Sequence, residues 1–177
     1  MFGDPNKSAK WPTQTFASLT DCFDNKRKPV KDGDRKKMQG PYPYYGATGV
    51  VDHVNDYRLD GTYLLISEDG KALEFRNYDI AFIVSGKIWV NNHAHVVQAH
   101  DEVTLNFLQY YIKYMDISNW VTGIDQKKLN RENLDSIPVM VPPREQIDRF
   151  DALVEQSDKS KYSLGGRICL MKMLLNR

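Results

Sequence analysis

The sequence predicts an α/β (α+β) domain: a small mixed, partly barrel-like β-sheet with flanking helices, followed by a long C-terminal coiled-coil-type helix. Three observations carry that prediction. Short β-branched and aromatic runs, each bounded by Gly, Asp or Asn, fill the stretch from Tyr42 to Val97. Apolar residues then recur at helical spacing over 102–115. Beyond Pro143 a seam of residues three and four apart continues towards Arg177. The resulting division is 1–142 as a globular domain and 143–177 as a helix.

Taken in order, Gly3-Asp4-Pro5-Asn6 reads as a turn, and Thr15–Leu19 as a short amphipathic piece leading into a basic segment. Val50-Val51, Tyr63–Ile66, Ile80–Val84 and Ile88–Val90 read as strands. Asp60-Gly61, Asp69-Gly70 and Ser85-Gly86 sit where strands should turn. Asp101 is the expected N-cap of the 102–115 helix, whose apolar side is Val103, Phe107, Tyr110/Tyr111 and Tyr114. Trp120–Gln126 reads as a loop, Asn130 as the cap of a turn at 131–135, and Ile137–Val141 as a strand stopped by Pro142-Pro143. The terminal seam is Ile147, Phe150, Val154, Ser157, Lys161, Leu164, Ile168, Met171 and Leu175. Seven of these nine positions are apolar, so the helix wants a partner helix. Gly165-Gly166 costs it about 2 kcal/mol relative to alanines, which predicts a kink or break there.

With 177 residues, 41% of them hydrophobic and 27% charged, the composition is that of an ordinary globular protein. No apolar run approaches the roughly 20 residues that cross a bilayer, and the first residues lack the basic and apolar regions of a secretion signal. Cys22 and Cys169 make no disulfide framework or thiolate cluster. A cytoplasmic location without membrane contact is the expectation.

The net charge of +1 hides an uneven distribution. Residues 24–40 carry seven basic against three acidic side chains, a net of +4, while 41–80 carry three against seven, a net of −4. The tail from Asp158 returns to +4. Such alternation permits a basic patch on a nearly neutral protein.

The catalytic inventory is short. The sequence has no Gly-x-Gly-x-x-Gly, no phosphate loop ending in Gly-Lys-Ser/Thr and no Gly-x-Ser-x-Gly elbow. It also lacks the Asn-Pro-Pro-aromatic tetrapeptide of amino-methyltransferases and the Glu-x-Lys of many metal-dependent nucleases. One constellation is chemical in type: in Asn91-Asn92-His93-Ala94-His95, a strand would aim His93 and His95 to one face, as a two-histidine metal site needs. A third ligand would come from His53, His100 or a carboxylate. Ordinary hydrogen bonds at a strand end explain the same pair.

Several segments in order resemble one target recognition domain, and its following helix, of the specificity subunit of type I restriction–modification systems. They are Gly40-Pro41-Tyr42-Pro43-Tyr44-Tyr45-Gly46-Ala47-Thr48-Gly49-Val50-Val51-Asp52, then Tyr63-Leu64-Leu65-Ile66-Ser67-Glu68-Asp69-Gly70, then Val84-Ser85-Gly86-Lys87-Ile88-Trp89-Val90 through Val97. Lys128-Leu129-Asn130, Leu134–Val139 and Pro142-Pro143-Arg144-Glu145-Gln146 complete them. The resemblance implies a subunit without chemistry of its own that reads one half of a split duplex DNA sequence. It implies docking on methyltransferase (modification) subunits carrying S-adenosylmethionine, and through them a translocating nuclease (restriction) subunit that uses ATP and Mg. No cofactor is expected in this chain. Met1–Pro5 resembles the segment after a spacer helix, so the chain looks like the second half of such a subunit, with 143–177 as the spacer or dimerisation helix and a homodimer as one possible assembly.

For that role, Arg27, Lys28, Arg35, Lys36 and Lys37 are the expected phosphate ligands, with Lys26 and Lys31 behind them. Five neutralised phosphates give a slope of log affinity on log salt of about −4 to −5. Tyr44, Tyr45, Gly46 and Thr48 offer aromatic faces, close backbone approach and a hydroxyl. Lys87 and Asn91 suit phosphate or base edges, and Gln126 and Lys127 lie in a loop outside the shared motifs. Asn92 is read as a strand-end cap, and Trp89 as core. The rival readings are a His93/His95 metal-dependent hydrolase and a truncated assembly subunit that docks by Ile147, Phe150, Val154, Leu164, Ile168, Met171 and Leu175 but reads nothing.

Overall fold

The computed structural model describes residues 10–75, 79–157 and 159. Chain order is β1 (Thr13–Thr15), a 3-10 turn, β2 (Thr20–Cys22), a second 3-10 turn (Asp24–Lys26), α1 (Asp32–Arg35), β3 (Tyr42–Gly46), β4 (Gly49–Val54) and β5 (Leu59–Ser67). Then come α2 (Lys71–Phe75), β6 (Ala81–Val90), β7 (Ala94–Ala99), α3 (Leu105–Tyr114), a third 3-10 turn, α4 (Arg131–Ser136) and β8 (Pro138–Met140). A last helix, α5, covers 144–157. Six strands form a mixed sheet in the order β2-β7-β5-β6-β3-β4, in which only β3 and β6 run parallel; β1 and β8 pair separately.

The main sheet is strongly coiled. Leu59 pairs with Ile88 at one end of β5, while the Glu68 N–H donates to the His93 carbonyl at the other. From Leu59 to Glu68 an extended strand covers about 30 Å, yet the chain from Ile88 to His93 reaches at most about 18 Å. The β5–β6 ribbon therefore has to fold back on itself. Gly61 and Gly86 face each other in the ladder, with φ of 149° and 90°. These two glycines, which the sequence reading places at turns, bend a continuous ribbon instead. Ile80–Val84 and Ile88–Val90 are consequently one strand. The sheet ends on β2 and β4, which do not pair with each other, so the coiling stops short of a closed barrel.

Both faces of the central strand are covered, which is why Tyr63–Ile66 is continuously apolar. Leu64 and Ile66 enter the larger core with Phe16, Leu19, Phe107, Leu108, Ile112, Leu134 and Ile147. Tyr63 and Leu65 enter the inside of the coil with Leu59, Val84, Ile88 and Val96. Each such large side chain contributes roughly 1.5–3 kcal/mol by burial. A third cluster, Tyr44, Val54 and Trp89 with Val30, Met38 and Tyr42, joins the basic segment to the sheet.

Thr104, not Asp101, caps α3: its hydroxyl accepts from the Phe107 N–H at 3.2 Å. Asn130 caps α4 as expected, accepting from Asn133 N–H at 2.8 Å. The first turns of α5 pack inward. Ile147 is in the core, Phe150 meets the Tyr110 ring edge-on at 5.2 Å, and Val154 is half-buried. No long coiled coil is formed among the described residues; Leu164, Ile168, Met171, Leu175 and the glycine pair lie outside them.

Candidate nucleic-acid interface

The basic segment 24–40 is an arm laid across the sheet and fixed by its backbone. Phe23 N–H donates to Val96 O (2.8 Å), Lys28 N–H to Val90 O (3.0 Å), and Asn55 N–H to Met38 O (2.7 Å). The Trp89 indole donates to Lys28 O at 2.7 Å, and the Val30 N–H to the Tyr44 hydroxyl at 2.9 Å. Gly40 has no room for a side chain, since a Cβ would lie 2.3 Å from Asn55 Cα.

Two of the arm's cations serve the fold. Arg27, 16% exposed, donates to Glu68 at 2.5 Å and to Ala94 O at 3.1 Å, and pairs with Asp24 at 3.1 Å. Arg35, 14% exposed, spans Asp32, Asp52 (3.1 Å) and Val30 O (3.2 Å), with its guanidinium over the Tyr44 ring. The sequence reading offers both as phosphate ligands; the structure spends their donors internally, because carboxylates distant in sequence fold onto them. Lys26, Lys28, Lys31 and Lys36 are exposed and make no ion pair among the described residues, and Lys37 pairs only loosely with Asp34, at 3.6 Å.

Arg58, which the sequence reading passes over, joins this surface. Its Nε donates to Lys26 O at 2.8 Å and its guanidinium lies over Trp89, itself core as expected. Lys87 is exposed beside it, with Nζ 4.8 Å from the centre of the Tyr57 ring. Arg58 sits alone in an acidic stretch, so no charge run marks it. The adjoining Tyr57-Arg58 pair, an aromatic beside a cation, is the one local signal for it.

The end of β5 gathers the other elements. The Ser67 hydroxyl donates to Ala47 O at 2.6 Å in the two-residue tip of the β3–β4 hairpin, where Thr48 is exposed. Tyr44 is a correction: at 1% exposure it is core, its hydroxyl used by Val30. Tyr45 is half-buried against Phe82, and burial raises its pKa. Gly46 is buried, and a Cβ there would meet Val51 at 2.7 Å. Asn91, also buried, caps the 91–93 turn by accepting from the His93 N–H at 2.8 Å, while Asn92 is exposed. Lys128 reaches Glu68 at 3.0 Å, and Thr122 and Lys128 exchange two backbone bonds of 2.8 Å that close the 122–128 loop. Gln126 is exposed on that loop, and Lys127 Nζ donates to Gly123 O at 3.1 Å. Gly123 has φ of 88° and a Cβ would lie 2.1 Å from Gln126 O, so the loop needs glycine there.

His93 and His95 do not converge. His93 is half-exposed and bonds Asp69 at 2.9 Å, whereas His95 is buried between Asp24 (2.7 Å) and Leu129 O (2.8 Å). No group of three or more His, Cys, Asp or Glu is placed to hold a metal ion among the described residues. Burial alone would raise the Asp24 and Glu68 carboxyls. Hydrogen bonds and charge from His95 and Arg27, with Val96 N–H on Asp24 and Lys128 on Glu68, outweigh it and hold both below the ordinary carboxylate range.

A coiled mixed sheet that carries a fixed basic arm and two pinned loops defines the class: a mixed α/β domain with an exposed basic face. The chain belongs to the type I restriction modification DNA specificity domain family, which is matched over residues 11–158. It is 40% identical over 125 residues to a protein of Haemophilus influenzae named as a type I restriction enzyme specificity subunit, covering 71% of this chain and 31% of that one. The chain thus spans about a third of that relative's length. Its fold is similar to that of a structure of a type I restriction–modification system (TM-score 0.65, 14% identity, 92% of this chain and 42% of that one). The HsdS subunit from Thermoanaerobacter tengcongensis (0.58, 13%, 92% and 41%) and the S subunit from M. genitalium (0.53, 12%, 75% and 34%) are similar as well. Members of this family are specificity components rather than enzymes. No helix among the described residues is long and apolar enough to cross a membrane.

Proposed function

We propose that this domain reads one half of a bipartite duplex DNA target for a type I restriction–modification enzyme, with Lys26, Lys28, Lys31, Lys36, Arg58 and Lys87 on the phosphates. Thr48, Asn92 and Gln126, exposed on short pinned elements, are the groups that reach base edges. Lys37 and Lys127 add charge at the margins. The observation carrying this reading is the arm: its backbone is bonded to the sheet at five places, and Lys26, Lys28, Lys31 and Lys36 make no ion pair among the described residues. A backbone already fixed on the sheet presents these lysines to a phosphate repeat without the cost of ordering the arm itself. The methyltransferase that binds S-adenosylmethionine and the nuclease that uses ATP and Mg are separate subunits, docked in part through 143–177. This chain binds DNA and partners without a cofactor of its own. The separation of His93 from His95 leaves the hydrolase reading without a site.

The test is the salt dependence of duplex binding by the chain with its modification subunits. Replacing Lys28, Arg58 and Lys87 together with Gln should flatten the slope of log affinity on log salt by about 2.7, from roughly −5. Binding that ignores salt, or a triple variant with an unchanged slope, overturns the assignment.

A further inference from the structure

His95 is the most deeply placed ionisable side chain among the described residues, 1% exposed, and both its ring nitrogens are used. Nε2 lies 2.8 Å from the Leu129 carbonyl, which can only accept, so Nε2 carries a hydrogen. Nδ1 lies 2.7 Å from Asp24 Oδ2. That carboxylate also takes the Val96 N–H at 2.8 Å and faces the Arg27 guanidinium at 3.1 Å, so it is an acceptor as well. Each ring nitrogen therefore has its own oxygen partner within hydrogen-bond distance. The charged groups around it come from three elements: Asp24 and Arg27 from the arm, Glu68 from the end of β5 at 3.9 Å, and Lys128 from the loop, paired to Glu68.

The two acceptors belong to the two parts of the proposed interface. Asp24 is at the root of the basic arm, two residues before Lys26. Leu129 is at the foot of the 122–128 loop, and its own N–H is bonded to Glu68 O at 2.8 Å. We infer that His95 is a positioning residue for DNA reading: its buried ring, bonded at both nitrogens, ties the arm to the loop and fixes the spacing between phosphate-holding and base-reading groups. The inference rests on the function proposed above and adds the device that sets its geometry.

Three measurements test it on the full chain. In the free wild-type chain, nitrogen-15 spectra of the imidazole should show Nδ1 and Nε2 both held in hydrogen bonds; a ring with either nitrogen unbonded overturns the inference. His95→Gln has one nitrogen where the ring has two and so cannot reproduce both bonds, and Asp24→Asn, a second variant should the first not fold, removes the charged acceptor. With modification subunits, either should weaken binding to a mixed-sequence duplex by about tenfold and broaden the set of methylated sites in cellular DNA. Leu108→Ala, a core variant of comparable instability, should keep the wild-type methylation pattern. If the His95 and Asp24 variants also keep it, the positioning role is refuted while DNA reading stands. If the wild-type assembly binds no duplex, both fail.

Discussion

Replacing Arg27 with Gln separates a structural cation from a phosphate ligand. Truncating one member of a buried ion pair costs about 3–5 kcal/mol because the other charge is stranded. Here the loss is smaller. Arg27 keeps slight exposure, Asp24 retains His95 at 2.7 Å, and Glu68 retains Lys128 at 3.0 Å. The bond to Ala94 O goes too, so a cost of about 2–3 kcal/mol follows. In a chain of 177 residues that lowers Tm by about 4–12 °C. Calorimetry of the isolated chain gives this number, and fluorescence anisotropy with a labelled duplex, from 50 to 200 mM salt, gives the slope. Arg27→Gln should lower Tm and leave the slope unchanged, whereas Lys28→Gln should leave Tm unchanged and flatten the slope by about 0.9. An Arg27 variant of wild-type Tm with a slope flattened by that amount would refute the division of the arm into internal and external charges.

Two further outcomes test the packing of the arm. Gly40→Ala forces a Cβ against the Asn55 backbone, so it should cost about 1–3 kcal/mol and speed exchange of the Asn55 amide, which Met38 O protects; unchanged protection contradicts the close approach. Acid should weaken the fold through Asp24 and Glu68, whose pKa values are lowered on folding. Their contribution is complete above the unfolded value near 4 and is lost as pH falls through the folded values. The slope is up to about 1.4 kcal/mol per pH unit for each group. Urea midpoints between pH 5 and 2 should fall in the wild type and fall less in Asp24→Asn/Glu68→Gln; equal declines argue against the network.

The strands were legible because burial on both faces demands β-branched and aromatic runs. The bend was not, because glycine marks a turn and a folded-back ribbon alike, and only the facing of Gly61 and Gly86 across a ladder distinguishes them. Asp101 and Thr104 are both good caps, and the choice between them falls to the packing of Phe107. At the interface, the excess of charge in 24–40 was visible, but its allocation was not. Arg27 finds Glu68 41 residues on, and Arg35 finds Asp52 17 residues on. No local pattern carries those partnerships. Tyr44 illustrates the same gap: an aromatic beside glycines suits a ligand or a core, and here the Val30 N–H and the Arg35 guanidinium decide for the core.

The allocation of cations in the arm follows the chemistry of the side chains. Arginine presents five donors in a planar fork and can satisfy several acceptors from one position; Arg27 does so with Asp24, Glu68 and Ala94 O, and Arg35 with Asp32, Asp52 and Val30 O. Lysine is a flexible point charge that loses rotamer entropy when fixed and gains little from an exposed pair. Leaving Lys26, Lys28, Lys31 and Lys36 outside therefore costs the fold almost nothing, and it keeps them available for the phosphate contacts proposed above. Arg58 stands between these cases. One donor and one face are committed to Lys26 O and Trp89, which orient the guanidinium, while the residue as a whole is exposed. An oriented fork facing solvent is suited to two-point contact with a phosphate. Of the six external cations it is thus the one whose replacement by Lys, which keeps the charge and loses the fork, should still weaken duplex binding measured by anisotropy; unchanged affinity argues against a two-point contact.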